Sequence, residues 1–372
     1  MFRPRSIDDE AWSDRCEYWA EQPTAAKLKQ SRKKRDNRPL LVLSGHGARL
    51  CVDNGALIVQ NGFTHYPQKR EEWRFFSGEW RTPSRIIVLD GSGGITFHAL
   101  RWLAERDIPL VQIDWRGNVV HVVGGGGYAI DRKLAEAQLA ARTNGTGLKL
   151  SLQLIAEKIN NSMATLLSAF TPSPAIERAL QKLKREADVL TSKPPASIGG
   201  LLGIEGRAGF AYFSAWRSFP LQWKGTDRRP IPDDWRRIGQ RGSFASGRDR
   251  PNQHATHPVN AMLNYTYAVL ESQVRARVIG AGLDPTVGLF HGAYRQKPAL
   301  VYDLMEPLRP LVDRNLLEFV QQTAFLPADF ILTSGGLCRL SPQLARNVVS
   351  FSADSGTYDS AVAPLLSRVL GA

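Results

Sequence analysis

A histidine, His291, stands 12 residues ahead of Asp303 and 15 ahead of Glu306, and a third acid, Glu205, lies far upstream in Gly203-Ile-Glu-Gly206. One imidazole and two or three carboxylates suit a hard divalent cation such as Mg²⁺ or Mn²⁺, with open positions left for water and phosphate oxygens. A metal-dependent phosphodiester enzyme can be built on that set. Singly, these residues say less. Glu205 alone reads as an acid in a first helical turn satisfied by terminal amides, and a lone histidine after Leu289-Phe290 reads as a hydrogen-bonded structural residue. The pair Asp303 and Glu306, at i and i+3 on one helical face, turns the reading toward a site. Other chemistries lack their signatures. Cys16, Cys51 and Cys338 are scattered without a CxxC pair, no GxxxxGK[ST], GxGxxG or GxSxG pattern occurs, and His254 with His257 reads as polar loop.

These side chains need elements to carry them. Helical periodicity runs over 131–142, 148–170, 174–190, 199–217, 258–281 and 304–322. On the fourth segment Glu205, Gly209, Tyr212 and Trp216 share a face, and in the last Pro307 and Pro310 are expected in or near the first turn, where a missing amide proton costs little. Before residue 124 the texture differs: Leu40-Leu-Val-Leu43, Arg49-Leu-Cys-Val52, Ala56-Leu-Ile-Val59, Arg85-Ile-Ile-Val-Leu89 and Pro109-Leu-Val-Gln-Ile113 are short β-branched runs, with turn signals at Asp53-Asn-Gly55 and Arg116-Gly-Asn118 and one helix over 95–106. The expected organisation is α+β: a polar basic extension (1–38), a small amino-terminal β-rich domain (39–123), a Gly-rich linker (124–130) and a larger, mostly α-helical catalytic domain (131–372).

Across 372 residues the formal charge is +13, which suits a polyanionic partner. Between Trp216 and His257 lies a long stretch rich in Arg, Pro, Gly and Trp. Arg207, Lys224, Arg228, Arg229, Arg236, Arg237 and Arg241 are candidates for contact with a DNA backbone. Trp223 and Trp235 suit base stacking and core packing equally. The amino-terminal residues have no apolar core of the secretory kind, and no window of about 18 uncharged apolar residues occurs, so a soluble cytoplasmic protein with no membrane partner is expected.

Several motifs follow in order over about residues 40–322: Leu50-Cys-Val-Asp-Asn-Gly-Ala-Leu-Ile-Val59, Ile86-Ile-Val-Leu-Asp-Gly-Ser-Gly-Gly-Ile-Thr96, Gly203-Ile-Glu-Gly206, the Asn260–Glu271 run, Gly282-Leu-Asp-Pro285, Gly288-Leu-Phe-His291 and Tyr302-Asp-Leu-Met-Glu-Pro307. Together they resemble the CRISPR-associated integrase of spacer acquisition, the Cas one family. The resemblance implies a catalytic set of Glu205, His291, Asp303 and Glu306, with Glu205, His291 and Glu306 as ligands of Mg²⁺ or Mn²⁺ and Asp303 in support. It also implies a homodimer working with the small Cas two protein. Its DNA partners would be a double-stranded prespacer fragment and a CRISPR repeat, joined by attack of a 3′-hydroxyl on a repeat phosphodiester. A stand-alone mobile-element integrase of the same fold is one alternative. A catalytically silent DNA-binding assembly subunit is another, and the presence of all four site residues counts against it.

Overall fold

The structure, a computed structural model, describes residues 39–64, 68–124, 130–217, 219–239, 255–291, 298–354 and 357–370. The extension over 1–38, most of the tetraglycine, Arg241 and His254 lie outside the described residues.

The chain opens with β1 (Leu40–Asp53), β2 (Ala56–Gln60), β3 (Glu72–Phe75), β4 (Arg85–Ile95), α1 (Phe97–Ala104), β5 (Leu110–Ile113) and β6 (Val119–Val123). These strands form one mixed sheet in the order β3-β2-β1-β4-β5-β6, with β4 parallel to both β1 and β5 and the outer pairs antiparallel. The Asp53-Asn-Gly55 signal is a tight hairpin: Asp53 pairs with Ala56, and Asn54 and Gly55 take φ of 48° and 76°, as a two-residue turn matched to strand twist requires. The runs at 40–43 and 49–52 are one strand, not two. Register shifts around His46, with Gly45 and Gly47 at positive φ, bend β1 and let it continue.

Alternation along the strands divides the core. Leu41, Leu43, Leu57, Ile86 and Leu110 pack with Ala99, Trp102 and Leu103 of α1. Their neighbours Val42, Ile87 and Val111 turn to the opposite face and join the core of the helical part. Sheet and helices therefore share buried surface, and Arg38–Ala372 cluster as one compact unit.

The helical part runs α2 (Arg132–Ala141), α3 (Thr146–Ala169), α4 (Pro174–Ser192), α5 (Ile198–Ala215), then β7 (Gln222–Trp223), α6 (Pro258–Gly280), α7 (Ala299–Met305), α8 (Arg309–Gln322), the short strands β8 (Ala324–Phe325), β9 (Phe330–Leu332) and β10 (Cys338–Leu340), α9 (Pro342–Asp354) and α10 (Thr357–Leu370). α6 is buried along most of its length, from Val259 to Val278, and packs against α7, α8, α9 and the sheet. α3 lies across α4, α5 and α8. The architecture is the expected α+β: an amino-terminal sheet followed by a larger helical region. No described helix is long and apolar enough to cross a membrane.

Expectation and structure part at 304–322. Two helices replace one: α7 ends at Met305 with Glu306 as its C-cap, and α8 begins at Arg309 with Pro310 in its first turn. Pro307 has no amide proton and cannot continue the α7 ladder. The junction is sealed from α3, where the Asn161 side chain donates to the Pro307 carbonyl at 2.8 Å and Thr165 Oγ1 to the Pro310 carbonyl at 2.8 Å.

Candidate metal centre

Glu205 sits in the middle of α5, beyond the reach of helix-terminal amides. The helix is started by Ser197, whose hydroxyl accepts from the Gly200 amide at 3.2 Å, and is held by buried Leu201, Ile204, Ala208 and Tyr212. Its carboxylate pairs with Lys158 Nζ on α3. The same ammonium lies 2.6 Å from Glu306 Oε2, and Arg309 Nη2 approaches the other Glu306 oxygen at 3.5 Å. One half-buried cation thus joins the two acids. Burial works against the Glu306 carboxylate, but Arg309 and Lys158 outweigh it and hold its pKa at about 2. Burial also opposes charge on Lys158, and Glu306 and Glu205 overcome it, so the ammonium is held above its ordinary value.

His291 reaches the same neighbourhood on a turn. α6 ends at Gly280 and is closed off by Gly282, which takes φ of 78° while Leu283 donates its amide back to the Val278 carbonyl. The Asp284 carboxylate then accepts from Thr286 N and Oγ1 at 2.8 and 2.7 Å, turning the chain back. Residues 289–291 wrap the Asp303 carboxylate, which is fully buried. It accepts from the amides of Leu289, of Phe290 at 3.2 Å and of His291 at 3.1 Å, and receives His291 Nδ1 at 2.6 Å. Asp303 is consequently spent on orientation, and the His291 Nε2 edge is left over. Burial pushes the imidazole down, and the Asp303 bond and charge outweigh it and hold the ring above its ordinary value.

The sequence-derived residues fall into two linked pairs: Glu205 with Glu306 across Lys158, and His291 with Asp303. Among the described residues no three His, Cys, Asp or Glu side chains are gathered as a ready metal cage. The donors nonetheless fit a hard divalent cation, because two carboxylates already share one positive charge and an imidazole nitrogen is free of its carboxylate partner. Lys158 escaped the sequence reading. Its signal was a polar stripe, Lys158, Asn161, Ser162 and Thr165, inside the apolar period of Leu154, Ile155, Ile159 and Leu166.

Beside the acids a cavity of about 190 Å³ opens between α3, α5, α6 and α8, lined by Lys158, Ser162, Glu205, Tyr212, Tyr267 and Asp313 among others. The buried Asp313 carboxylate accepts from Tyr267 OH at 2.6 Å and Tyr212 OH at 3.0 Å.

The basic candidates lie elsewhere. Arg207, on α5, makes a bidentate pair with Glu186 of α4 at 2.8 Å from both nitrogens. Lys224, Arg228, Arg229, Arg236 and Arg237 are exposed on a stretch anchored by β7 pairing with β8. Of the two readings of its tryptophans, core packing is the one realised. Trp235 is buried, stacks on Trp223 with centroids 6.1 Å apart, and packs edge-on to Phe330, while its indole donates to the Thr256 carbonyl at 3.1 Å. His257 is structural too: its Nδ1 accepts from the Val259 amide at 3.2 Å and caps α6.

Residues 41–352 match the family model described as "CRISPR associated protein Cas1". A curated relative, the CRISPR-associated endonuclease Cas1 1 of Archaeoglobus fulgidus, is 28% identical over 306 residues, spanning 78% of this chain and 80% of its own. Among solved structures, a casposase bound to integration product superposes with a TM-score of 0.70 at 23% identity, over 90% of this chain and 91% of that one. A Cas6-RT-Cas1–Cas2 complex gives 0.63 at 21% identity, over 89% of this chain and 35% of that one.

Proposed function

Because the chain belongs to the CRISPR-associated Cas1 family, we propose that it is a metal-dependent DNA endonuclease and integrase that inserts short DNA fragments into a CRISPR array. The observation that carries this reading is the convergence of Glu205 and Glu306 on one half-buried positive charge, beside an imidazole oriented by Asp303. Support comes from the endonuclease name of the curated relative and from the fold likeness to a casposase bound to integration product.

In the proposed reaction the 3′-oxygen of a fragment forms a bond to a repeat phosphorus as the strand's own 3′-oxygen leaves with a proton. One phosphodiester replaces another, so no ATP is needed. Glu205, Glu306 and His291 would hold Mg²⁺ or Mn²⁺, which when bound supplies Lewis-acid polarisation of the phosphoryl group and offsets charge in the transition state. Asp303 fixes the imidazole with Nδ1 occupied and Nε2 presented. Arg309, beside Glu306, adds a fixed positive charge near the reacting phosphate. The partners are double-stranded DNA, a second copy of the chain as homodimer and the Cas2 protein. The Cas2 partnership rests on the resemblance and on the fold likeness to a complex that contains it. Lys224, Arg228, Arg229, Arg236, Arg237 and Arg241 are proposed to contact the DNA backbone, and Arg207 to do so after releasing Glu186.

The test is strand joining of a labelled, 3′-hydroxyl-ended duplex into supercoiled plasmid, with Mn²⁺ or EDTA, for wild type and His291→Ala. Joining that needs the metal and is lost in His291→Ala, with DNA binding intact, is the expected result. A plasmid lacking the repeat separates array insertion from the mobile-element alternative. Binding without joining under either metal, with repeat and Cas2 supplied, would hand the protein to the assembly-subunit reading.

A further inference from the structure

Lys158 poses a problem for the metal reading, on which the following rests. Its ammonium lies 2.6 Å from Glu306 Oε2 and pairs directly with Glu205. A Mg²⁺ ion bound to those oxygens would sit about 2.1 Å from each. Ammonium and metal therefore claim the same volume, and like charge forbids sharing it. The local charge already balances without metal: Glu205 and Glu306 face Lys158 and Arg309. Lys158 is on α3, Glu205 on α5 and Glu306 at the C-cap of α7, so the lysine is a bridge between elements and not an incidental neighbour.

The structure also offers the lysine somewhere to go. The cavity of about 190 Å³ is lined by Lys158 itself and by Ser162, Tyr212, Tyr267, Asp313 and Arg309. That volume is several times the roughly 30 Å³ share of one water, and the Asp313 carboxylate in its lining is an acceptor that an ammonium can meet, with Arg309 the one other cation among the lining residues. We propose that Lys158 is a resident counter-cation: it holds Glu205 and Glu306 together in the metal-free protein, and a divalent cation binds by displacing it into this cavity. Metal affinity is thereby set by a competing side chain of the protein's own.

Mn²⁺ binding followed by electron paramagnetic resonance on the full chain tests this, comparing wild type, Lys158→Met and Glu306→Gln. Lys158→Met should bind at least tenfold more tightly, and its melting temperature, lower without metal, should rise further on adding Mn²⁺. Glu306→Gln should lose the ion, which marks the site. Equal or weaker binding by Lys158→Met, with wild type binding, overturns displacement and leaves the metal reading standing. Failure of both to bind Mn²⁺ overturns the metal reading itself. Should Lys158→Met not fold, Lys158→Gln is compared with wild type in its place. Tighter Mn²⁺ binding by Lys158→Gln than by wild type is the expected result, and equal or weaker binding overturns the proposal.

Discussion

Asp303 has no surface exposed to solvent and accepts from three consecutive backbone amides besides the His291 ring. A carboxylate can do this because it is acceptor-only on both oxygens; an asparagine cannot, since its NH₂ would face N–H groups. Asp303→Asn should therefore cost about 3 kcal/mol of stability, read as a urea midpoint, and weaken Mn²⁺ binding by about 10- to 100-fold as the imidazole loses its orienting partner. Unchanged metal affinity would make Asp303 a purely structural residue. His257 gives the residue scale a pH dependence. Burial lowers its pKa from 6.5, the Arg237 carbonyl only partly opposing. The native state prefers the neutral ring, whose bare Nδ1 accepts from Val259. A depressed folded pKa means the contribution is complete above the unfolded value of 6.5. It is lost as pH falls from there toward the lower folded pKa, at up to about 1.4 kcal/mol per pH unit for one proton. His257→Asn, which keeps a capping oxygen and does not titrate, should be less stable than wild type at pH 7.5, with the gap narrowing by pH 5. A constant gap in urea titrations would refute the assignment.

At the scale of elements the turn at 288–291 matters most, because it is the only described connection that delivers His291 to the Asp303 carboxylate. A Cβ on Gly288 would stand 2.6 Å from the His291 carbonyl and 2.9 Å from Asp303 Oδ2. Gly288→Ala should leave the fold intact at a cost of about 1–3 kcal/mol. The larger effect falls on chemistry, since a shift near 1 Å in a positioned group can cost about 100-fold. Strand joining reduced well beyond the change in melting temperature is the expected outcome; parallel losses would mean simple destabilisation. This turn also marks how far the sequence could be read. Gly288-Leu-Phe-His291 and the Asp303 and Glu306 spacing were legible because turn glycines and i, i+3 pairs are local signals. The break between α7 and α8 was less so, because Pro307 and Pro310 are compatible with the first turn of one helix and also with the gap between two. Lys158 was not legible. Its role depends on two acids far away in the chain, and a lysine in a helical period looks like any solvated one until α5 and the end of α7 are laid against it. Trp223 and Trp235 likewise needed Phe325 and Phe330, from a different stretch of chain, to become core.

For the whole molecule, the sheet's inner face shares a core with the helices through Val42, Ile87, Leu89, Val111 and Ile113, so the helices of the proposed metal site rest on a packed base. The full chain carries a formal charge of +13. Such an excess binds DNA largely by releasing its counterions, with log affinity falling by about 0.9 per neutralised phosphate for each tenfold rise in salt. Location decides which cations count. Arg207 is occupied by Glu186, whereas Arg228, Arg229 and Arg237 are exposed on a stretch that buried aromatics hold in place. A fixed platform of exposed guanidinium groups loses little entropy on meeting a backbone and carries no base preference. Replacing Arg228, Arg229 and Arg237 together by alanine should therefore weaken binding to any duplex sequence alike and make the salt slope shallower by about one for each phosphate that is no longer neutralised. Fluorescence anisotropy from 50 to 300 mM KCl measures it. An unchanged slope would move the DNA path off this stretch, and weakening confined to one sequence would mean that these arginines read bases.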